Sequence, residues 1–483
     1  MIRVRFEGTD PGPVMVVAAD GEAPASVALS GARASVAVGV EQRASGWEAR
    51  VPLRAARWGG PELPLPSGVY DLMIDGRAAP PSAAEAPAPP VVFSTLRAGW
   101  DGTRVTIGPP LDPALASGEG QSALEVRYAG RREPLENAVF FESFYGRTAG
   151  DNPRAIDREL ARVAPAVTRY WSVVDLSVPV PAGAVAIVEG SPEWWRARGA
   201  ARLLVVNDWL RRRFVRRPGQ IVLQTWHGTP LKRLALHRPG FDPRRALAVV
   251  RESRRWNVLL AQNPYGARVL RKAYAFLRRP VWVEGYPRTD DLHHRRRDDV
   301  RAGLGIDPDE RVLLYAPTWR DDRETIVDFL DLPALADAAD AVVLVRGHSR
   351  TLLPGSDERG PRVIDVTGHP DLAALQVASD ALITDYSSVM FDYSVTGKPM
   401  YFFVPDLEHY RGELRGFYFD LSEQAPGPLV TTLEDLVEAL GADTRRFDER
   451  YTRWRARFND RDDGHAAERV VARILDQGYV ARD

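Results

Sequence analysis

Short runs of alternating apolar and polar residues occupy the first 130 positions of the chain. VMVVAA (14–19), ASVAVGV (34–40) and GVYDLMIDG (68–76) are separated by Gly, Pro, Asp and Ser. Turn residues between segments of period two predict a β-sandwich or a β-barrel. VVFSTLRAG, TRVTIG and ALEVRYAG continue the pattern after a Pro- and Ala-rich stretch at 77–90, which predicts a linker or a long loop. We therefore expect an all-β accessory domain over residues 1–130.

From residue 136 the pattern changes to apolar runs that alternate with helical segments. RLLVVN, IVLQTW and NVLLAQN are typical of buried strands, and SPEWWRARG predicts a helix. Another helix is expected at Asn152-Pro153, with Asp151 or Asn152 as its cap and Pro153 in its first turn. A second series of strands (RVLLYAPTW, AVVLVRGHS, ALITDYSS and PMYFFVPD) follows the charged stretch 289–310. Strand–helix alternation predicts two α/β lobes with parallel sheets, an N-terminal lobe at 136–290 and a C-terminal lobe at 291–478.

Polar residues directly follow four of these strands. Ligands of parallel α/β sheets bind outside the carboxyl ends of the strands, so these residues form the candidate site. They are His227 after IVLQTW, Thr318 and Arg320 after VLLYAP, Arg346 and His348 after AVVLV, and Asp385, Ser387 and Ser388 after ALIT.

Each of these residues also has a structural explanation. A histidine can be a satisfied structural residue, Ser387 and Ser388 can cap a helix, and Lys232 can be surface charge. Together, however, Arg, Lys, Ser and a helix N-terminus favour a phosphorylated ligand, and a histidine supplies a general base. The sequence contains no GxxxxGK[ST] and no clean GxGxxG after a strand. The residues alone therefore indicate a two-lobed α/β enzyme for a phosphorylated or nucleotide-linked substrate.

Composition narrows the class of protein and its partners. The formal net charge is −1, so no global field favours nucleic acid, and we predict no nucleic-acid partner. The absence of cysteine excludes disulfides, thiolate metal sites and a cysteine nucleophile, and it fits a reducing cytosol. The sequence has neither the apolar core of a signal peptide nor an apolar run of the ~20 residues that span a bilayer. We expect a cytoplasmic enzyme, or one held at the inner face of the plasma membrane.

Several longer motifs occur in one order: ESFYGR…DNPRAI, QTWHGTPLK, AQNPYG, GYPRTD, LYAPTWRDD, VRGHS, LITDYSSVMFDY, TGKP and RGFYFD. In these motifs the chain resembles the CDP-glycerol glycerophosphotransferase family, the primases and polymerases of teichoic acid synthesis. The resemblance covers residues 136–478 and leaves 1–130 outside. One departure is Thr289, where the family often has Asn, and we expect no change of reaction from it alone.

The resemblance implies a GT-B-like pair of Rossmann-like lobes facing a cleft, with the donor mainly on the C-terminal lobe. It implies CDP-glycerol, or a related CDP-alditol, as the donor. A hydroxyl of a lipid-linked polymer acceptor attacks the β-phosphorus, and CMP leaves. The acceptor would be a teichoic-acid-like or capsular polymer, and glycerol phosphate is the expected group. No metal ion and no other cofactor is predicted to be essential.

The resemblance also assigns roles within the site. His227 would be the general base, while His348 and Arg346 would hold the donor pyrophosphate and offset charge on the leaving CMP. Ser387 and Ser388 would bind phosphate oxygens, and Asp385 would orient a histidine or the alditol. Further substrate-binding candidates are Gly228, Thr229, Lys232, Thr318, Arg320 and Ser349.

Other functions stay open at this stage. One is a GT-B glycosyltransferase that uses a nucleotide sugar, and another is a non-catalytic carbohydrate-binding or scaffold protein. In a third, the β domain binds the acceptor beside an active transferase. The basic and apolar segments 211–219 and 242–256 favour contact with a membrane surface, although solvated helix faces are an equal explanation. Ribitol as the alditol, primase against polymerase action, and the oligomeric state also stay open.

Overall fold

The computed structural model of the chain describes residues 1–79, 88–318, 330–347, 362–409 and 416–482. The chain divides into two compact units. The first contains residues 1–133, 145–149 and 170–199, and the second contains 134–144, 150–169 and 200–483. The finer division into 1–130, 136–290 and 291–478 stays a prediction.

The first unit begins with short antiparallel strands. Their described members form one sheet in the order β1-β2-β6-β5 and a larger one in the order β11-β12-β13-β9-β3-β4, with β10 beside β9 and a separate pair β7-β8. Both sheets bury side chains in one apolar core, for example Trp47 and Val51 from one and Leu29 and Tyr70 from the other. This confirms the predicted β-rich N-terminal region. The strands are β1 Arg3–Glu7, β2 Val14–Ala19, β3 Val27–Gly31, β4 Ala34–Val38, β5 Glu41–Arg43, β6 Gly46–Pro52, β7 Arg54–Ala56, β8 Glu62–Pro64, β9 Gly68–Ile74, β10 Arg77–Ala78, β11 Ala88–Val92, β12 Arg97–Trp100 and β13 Arg104–Gly108.

The prediction of a strand at ALEVRYAG was wrong. This segment ends helix α2 (Gly118–Gly130), which follows the short helix α1 (Pro113–Ala116). Ser117 caps α2 by accepting a hydrogen bond from the backbone N–H of Gly120. The buried residues Leu124 and Tyr128 are four positions apart, which matches one face of a helix.

The segment 170–199 completes the first unit. Tyr170–Val173 of strand β15 (Thr168–Val173) pairs in parallel with β16 (Val185–Val188), and helix α4 (Pro192–Ala200) follows. Hydrogen bonds such as the following two join this segment to the β-rich region. Ser67 N donates to Asp175 Oδ2 at 2.8 Å, and Arg57 Nη2 donates to the carbonyl of Ser177 at 2.8 Å.

The second unit begins with a parallel α/β lobe, as the sequence predicts. Neighbouring strands run in the order β14-β17-β18-β19-β20 and pair in parallel. Helix α3 differs from the prediction at its start, because Gly150 occupies the cap position and Asp151 is the first helical residue. The elements are β14 Glu136–Glu142, α3 Asp151–Val163, β17 Ala201–Val206, β18 Ile221–Gln224, α5 Pro243–Ser253, β19 Val258–Ala261, α6 Pro264–Ala273 and β20 Val281–Val283, with short 3₁₀ turns at Phe144–Gly146, Ala235–His237 and Pro287–Thr289.

The C-terminal lobe of the second unit is a parallel sheet in the order β23-β22-β21-β24-β25-β26. This is the strand order of the Rossmann fold, which changes direction between β21 and β24. Alternate residues of β21 enter different apolar clusters, Leu314 one and Leu313 the other. The elements are α7 Asp291–His294, α8 Arg297–Leu304, β21 Arg311–Ala316, α9 Leu332–Ala338, β22 Ala341–Val345, β23 Val363–Asp365, α10 Leu372–Ala378, β24 Ala381–Thr384, α11 Val389–Tyr393, β25 Met400–Phe403, α12 Leu407–His409, α13 Leu421–Gln424, β26 Leu429–Val430, α14 Leu433–Gly441, α15 Asp448–Phe458 and α16 Ala466–Asp476, with 3₁₀ turns at Ser394–Thr396 and Thr444–Phe447.

No helix in the described part of the chain is both long and apolar enough to cross a membrane.

Candidate active site

The turn after β18 carries His227. Trp226, directly before it, has φ of 55°, a left-handed conformation that is uncommon for a residue with a large side chain. Such conformations persist where neighbouring groups hold them, and they cluster at functional sites. The Trp226 ring stacks on the imidazole with 4.5 Å between centroids, and the Phe144 ring lies 5.7 Å from it. The imidazole is therefore held in one orientation.

A hydrogen bond to the backbone sets the tautomer of His227. Its Nδ1 lies 2.7 Å from the carbonyl oxygen of Asn207. A carbonyl only accepts, so Nδ1 carries the proton and donates it, and the neutral ring keeps a lone pair at Nε2. A ring locked in this way can accept a proton at Nε2, as a general base does.

Gly228 brings this turn against the C-terminal lobe. A β-carbon at residue 228 would lie 2.6 Å from Ser388 Oγ and 2.9 Å from Ser388 Cβ. Both distances are too short for a real contact, so the close approach requires glycine. The histidine turn (residues 226–228) and the DYSS segment after β24 (residues 385–388) are thus adjacent.

The DYSS segment lies where the strand order of the C-terminal sheet reverses. The Asp385 carboxylate accepts backbone N–H groups from Thr318 at 2.8 and 3.0 Å and from Tyr386 at 2.5 Å. It ties the loop after β21 to the loop after β24. Ser387 Oγ accepts from Val389 N at 3.4 Å, and Ser388 directly precedes α11. The structure thus brings together Thr318, Asp385, Ser387 and Ser388, as the strand-end rule predicts.

Arg346 lies at the end of β22. Its Nη1 donates to the carbonyl oxygens of Val366 at 3.2 Å and His369 at 2.9 Å. Burial lowers the pKa of Arg346 to about 10, and nearby Asp371 opposes that shift. The side chain therefore supports the loop after β23, and its contact with the donor pyrophosphate stays a prediction.

Two predicted residues near His227 have neighbours inside the protein. The Thr229 hydroxyl donates to Gln262 Oε1 at 2.6 Å and accepts from Asn263 Nδ2 at 3.0 Å, so it faces a buried polar group. The backbone at Lys232 forms an isolated β-bridge with Phe417 of the C-terminal lobe. Their substrate contacts stay predictions. His348, Ser349 and Arg320 lie outside the described residues.

Sequence reasoning missed a buried network of charged side chains that contacts the backbone of His227. Its centre is Arg288, whose Nη1 lies 2.6 Å from Asp151 Oδ2 and whose Nη2 lies 2.7 Å from Asp392 Oδ2. Gln262 continues the network to Asp462 at 2.8 Å. The motifs DNPRAI, GYPRTD and LITDYSSVMFDY contain three of these charges, so their presence in motifs was the available signal.

Burial and charge act against each other in this network. Burial alone would lower the pKa of Arg288, but Asp151 and Asp392 outweigh it and raise the pKa, so the guanidinium stays charged. Burial raises the pKa of Asp392 to about 7, with Arg288 opposing, and raises that of Asp462 to about 6.

Within the described ranges, no group of three or more His, Cys, Asp or Glu side chains is placed to hold a metal ion. Besides the His227 imidazole and the Asp385 carboxylate, the described site residues include the hydroxyls of Ser387 and Ser388 and the cationic side chain of Lys232. Hydroxyl and cationic groups suit phosphate oxygens.

Comparison with known proteins identifies the family. A family model described as CDP-Glycerol:Poly(glycerophosphate) glycerophosphotransferase matches residues 127–476. A teichoic acid glycerol-phosphate transferase of Staphylococcus aureus is 34% identical over 381 residues, which cover 71% of this chain and 94% of that relative. A teichoic acid poly(glycerol phosphate) polymerase of Bacillus subtilis is 37% identical over 335 residues, or 65% of this chain. The match covers 44% of that polymerase, less than half its length.

Solved structures agree with these sequence matches. A structure of the wall teichoic acid polymerase TagF superposes with a TM-score of 0.69 at 30% identity, over 74% of this chain and 94% of that chain. A variant of the same polymerase soaked with CDPG superposes with a TM-score of 0.68.

The two parallel lobes, the motif order and these matches agree, and they confirm the GT-B fold and the resemblance drawn from the motifs. The chain is a transferase, and it belongs to the CDP-glycerol:poly(glycerophosphate) glycerophosphotransferase family.

Proposed function

We propose that this enzyme transfers glycerol phosphate from CDP-glycerol to a terminal hydroxyl of a poly(glycerol phosphate) chain of the teichoic acid type. The hydroxyl oxygen forms a bond to the β-phosphorus. The bond between that phosphorus and the bridging pyrophosphate oxygen breaks, and CMP leaves with the oxygen. The hydroxyl proton passes to His227 Nε2. The product is a polymer one phosphodiester longer.

One observation carries the proposal. The His227–Gly228 turn, with Nε2 available as an acceptor, packs against Ser388 at the reversal point of the C-terminal sheet. This contact supports the proposal that a base on one lobe and phosphate-binding serines on the other act on one reacting centre. Phosphoryl transfer depends mainly on such positioning and on stabilisation of charge.

The names of the relatives support the choice of donor and acceptor. The family is named for CDP-glycerol and poly(glycerophosphate), and the Staphylococcus aureus relative is a teichoic acid glycerol-phosphate transferase. Ribitol-phosphate enzymes are also similar, but at lower identity, for example 28% over 287 residues for a ribitol-phosphate primase. Glycerol is therefore the favoured alditol.

Product analysis tests the reaction type. CDP-glycerol labelled in the glycerol is incubated with a short glycerol-phosphate oligomer, and the lengthened oligomer is treated with hydrofluoric acid. We expect label in the oligomer and its release by the acid, because a phosphodiester is cleaved. Label transferred only from a nucleotide sugar, in a glycosidic linkage, would instead establish a glycosyltransferase.

We further propose that the acceptor is lipid-linked and that helix α5 meets the membrane. Arg244, Leu247, Ala248 and Arg251 are all exposed and lie at helical spacing, so they share one face. Leu247 is 70% exposed, and Phe241, just before the helix, is 90% exposed. Exposed apolar side chains between arginines are typical of helices that lie in an anionic membrane interface.

Vesicle flotation tests this membrane contact. The wild-type protein is expected to float with phosphatidylglycerol vesicles, and Leu247→Ser with Phe241→Ser is expected to lose most of that binding. Val126→Ser is the matched control, since Val126 is an apolar residue of helix α2 that is 67% exposed. Equal flotation of all three proteins would contradict the proposed surface.

A further inference from the structure

The Arg288 side chain contacts three segments that are far apart in the sequence. It lies in the turn Pro287–Thr289 after β20, and its side chain is 13% exposed. Nη1 donates to Asp151 Oδ2 at 2.6 Å and to the carbonyl oxygen of His227 at 3.1 Å. Nη2 pairs with Asp392 Oδ2 at 2.7 Å. One guanidinium therefore contacts the start of α3, the histidine turn and α11.

A second side chain supports the same turn. Asn152 Nδ2 donates to the carbonyl oxygen of Trp226 at 3.3 Å, and Asn152 Oδ1 accepts from the backbone N–H of Arg288 at 3.2 Å. The carbonyl groups of Trp226 and His227 thus each accept a hydrogen bond from a side chain, from Asn152 and Arg288 respectively. The left-handed backbone at Trp226 needs such support, because it is strained for a non-glycine residue.

Asp392 connects this support to the donor side. It lies on α11, four residues after Ser388, and Ser388 faces Gly228. The histidine turn and α11 consequently meet at two places. They touch at Gly228 and Ser388, and they are joined through Arg288 between the His227 carbonyl and Asp392.

We propose that Arg288 is a positioning residue for phosphotransfer. By binding the His227 carbonyl and the Asp392 carboxylate at once, it holds the base in register with the serines before α11. The planar guanidinium offers donors in a fixed fork, which a lysine ammonium cannot reproduce. The role in transfer rests on the function proposed above, whereas the support of the turn does not.

Arg288→Lys is the informative variant, because it keeps a cation beside the two buried carboxylates and removes the fork. We expect kcat for acceptor-dependent CMP release to fall about 10²-fold, as small misplacements of reacting groups do. KM for CDP-glycerol is expected to change by less than about three-fold, since binding of the ground state does not use the base.

Arg169→Lys is the matched control. Arg169 is also buried, and its Nη1 pairs with Asp157 at 2.9 Å, but it does not belong to the site described above. Its kcat is expected to stay near the wild-type value. An equal fall in kcat for both variants would overturn the proposal, because the loss would then be the effect of replacing any buried arginine.

A double variant separates positioning from stability. If Arg288 acts through His227, adding Arg288→Lys to His227→Asn is expected to lower the residual rate by less than about three-fold. A further fall equal to that of Arg288→Lys in the wild type would overturn the proposal.

Hydrogen exchange of residues 225–229 reads the support without any substrate. Arg288→Lys is expected to speed exchange there at least about ten-fold, while Arg169→Lys leaves it unchanged. Unchanged exchange in Arg288→Lys would overturn the proposal. A wild-type enzyme that releases no CMP, but shows this faster exchange in Arg288→Lys, would remove the proposed function and keep the support.

Discussion

The sharpest test of the base is His227→Asn. The side-chain amide nitrogen of asparagine lies close to the place of imidazole Nδ1, so it can still donate to the Asn207 carbonyl, which lies 2.7 Å from Nδ1 in the wild type. The change therefore removes Nε2 and leaves the anchor of the turn. An alanine would remove both, and its effect would combine lost base with lost anchoring.

The expected loss follows from the single role assigned to Nε2. General-base catalysis contributes about 10²–10⁴-fold to a rate. This corresponds to about 3–5 kcal/mol of transition-state stabilisation. Because Asn207 and the Trp226 ring hold the imidazole before substrate arrives, most of that contribution should already be available in the resting enzyme.

The assay is acceptor-dependent CMP release over a range of CDP-glycerol concentrations that reaches saturation, with melting temperature as a check on folding. We expect kcat to fall about 10²–10⁴-fold and KM for CDP-glycerol to change little. His465→Asn is the control, because His465 is exposed and its Nδ1 lies 3.2 Å from Oε2 of Glu468, which is not a residue of the candidate site. Turnover of His227→Asn within about three-fold of wild type would refute the assignment of the base.

Three further predictions concern packing, pH and metal. Gly228→Ala is expected to slow transfer about 10²-fold, because its β-carbon would lie 2.6 Å from Ser388 Oγ. In the control Gly303→Ala the new β-carbon meets nothing within 4 Å, so the transfer rate should not change. Equal rates for the two variants would refute the close approach. The pKa of Asp392 is raised by burial to about 7 in the folded protein, above the unfolded value of about 3.9, so its contribution to stability is present at low pH and is lost as pH rises through about 7. Melting of wild type against Asp392→Asn should show the wild type losing up to about 1.4 kcal/mol per pH unit relative to the variant between about pH 4 and about pH 7, and parallel profiles would contradict this. Removal of divalent cations with EDTA is expected to leave the rate of CMP release within about two-fold, because protein cations are proposed to offset the charge of the leaving group, and activity that returns only with Mg²⁺ would contradict it.

Strand ends were predictable because parallel sheets place them at one edge. Their position after the strands predicts that Thr318, Asp385 and Ser388 lie close together. In the structure Asp385 accepts the backbone N–H of Thr318, and Ser388, three residues after Asp385, approaches Gly228. The group that Gly228 approaches is not readable from the sequence, because Ser388 lies 160 positions away in the chain.

The buried network was not predictable from local pattern. Arg288 bonds Asp151 across 137 positions and His227 across 61, so no short-range periodicity reports these contacts. Lys and Arg together number 64, and the sequence does not show which of them is buried. The strand prediction at ALEVRYAG was wrong for a different reason. Its alternation of apolar and polar residues over a few positions fits a strand as well as a helix, and the Ser117 cap decides for the helix.

Donor choice and acceptor dependence test the central claim most directly. CMP release is measured with CDP-glycerol or CDP-ribitol, each with and without a short glycerol-phosphate oligomer. The account predicts CMP from CDP-glycerol that rises strongly when the oligomer is present, and much less from CDP-ribitol. No CMP from either donor, on a protein shown to be folded, would contradict the proposed reaction and leave only the GT-B fold and the family.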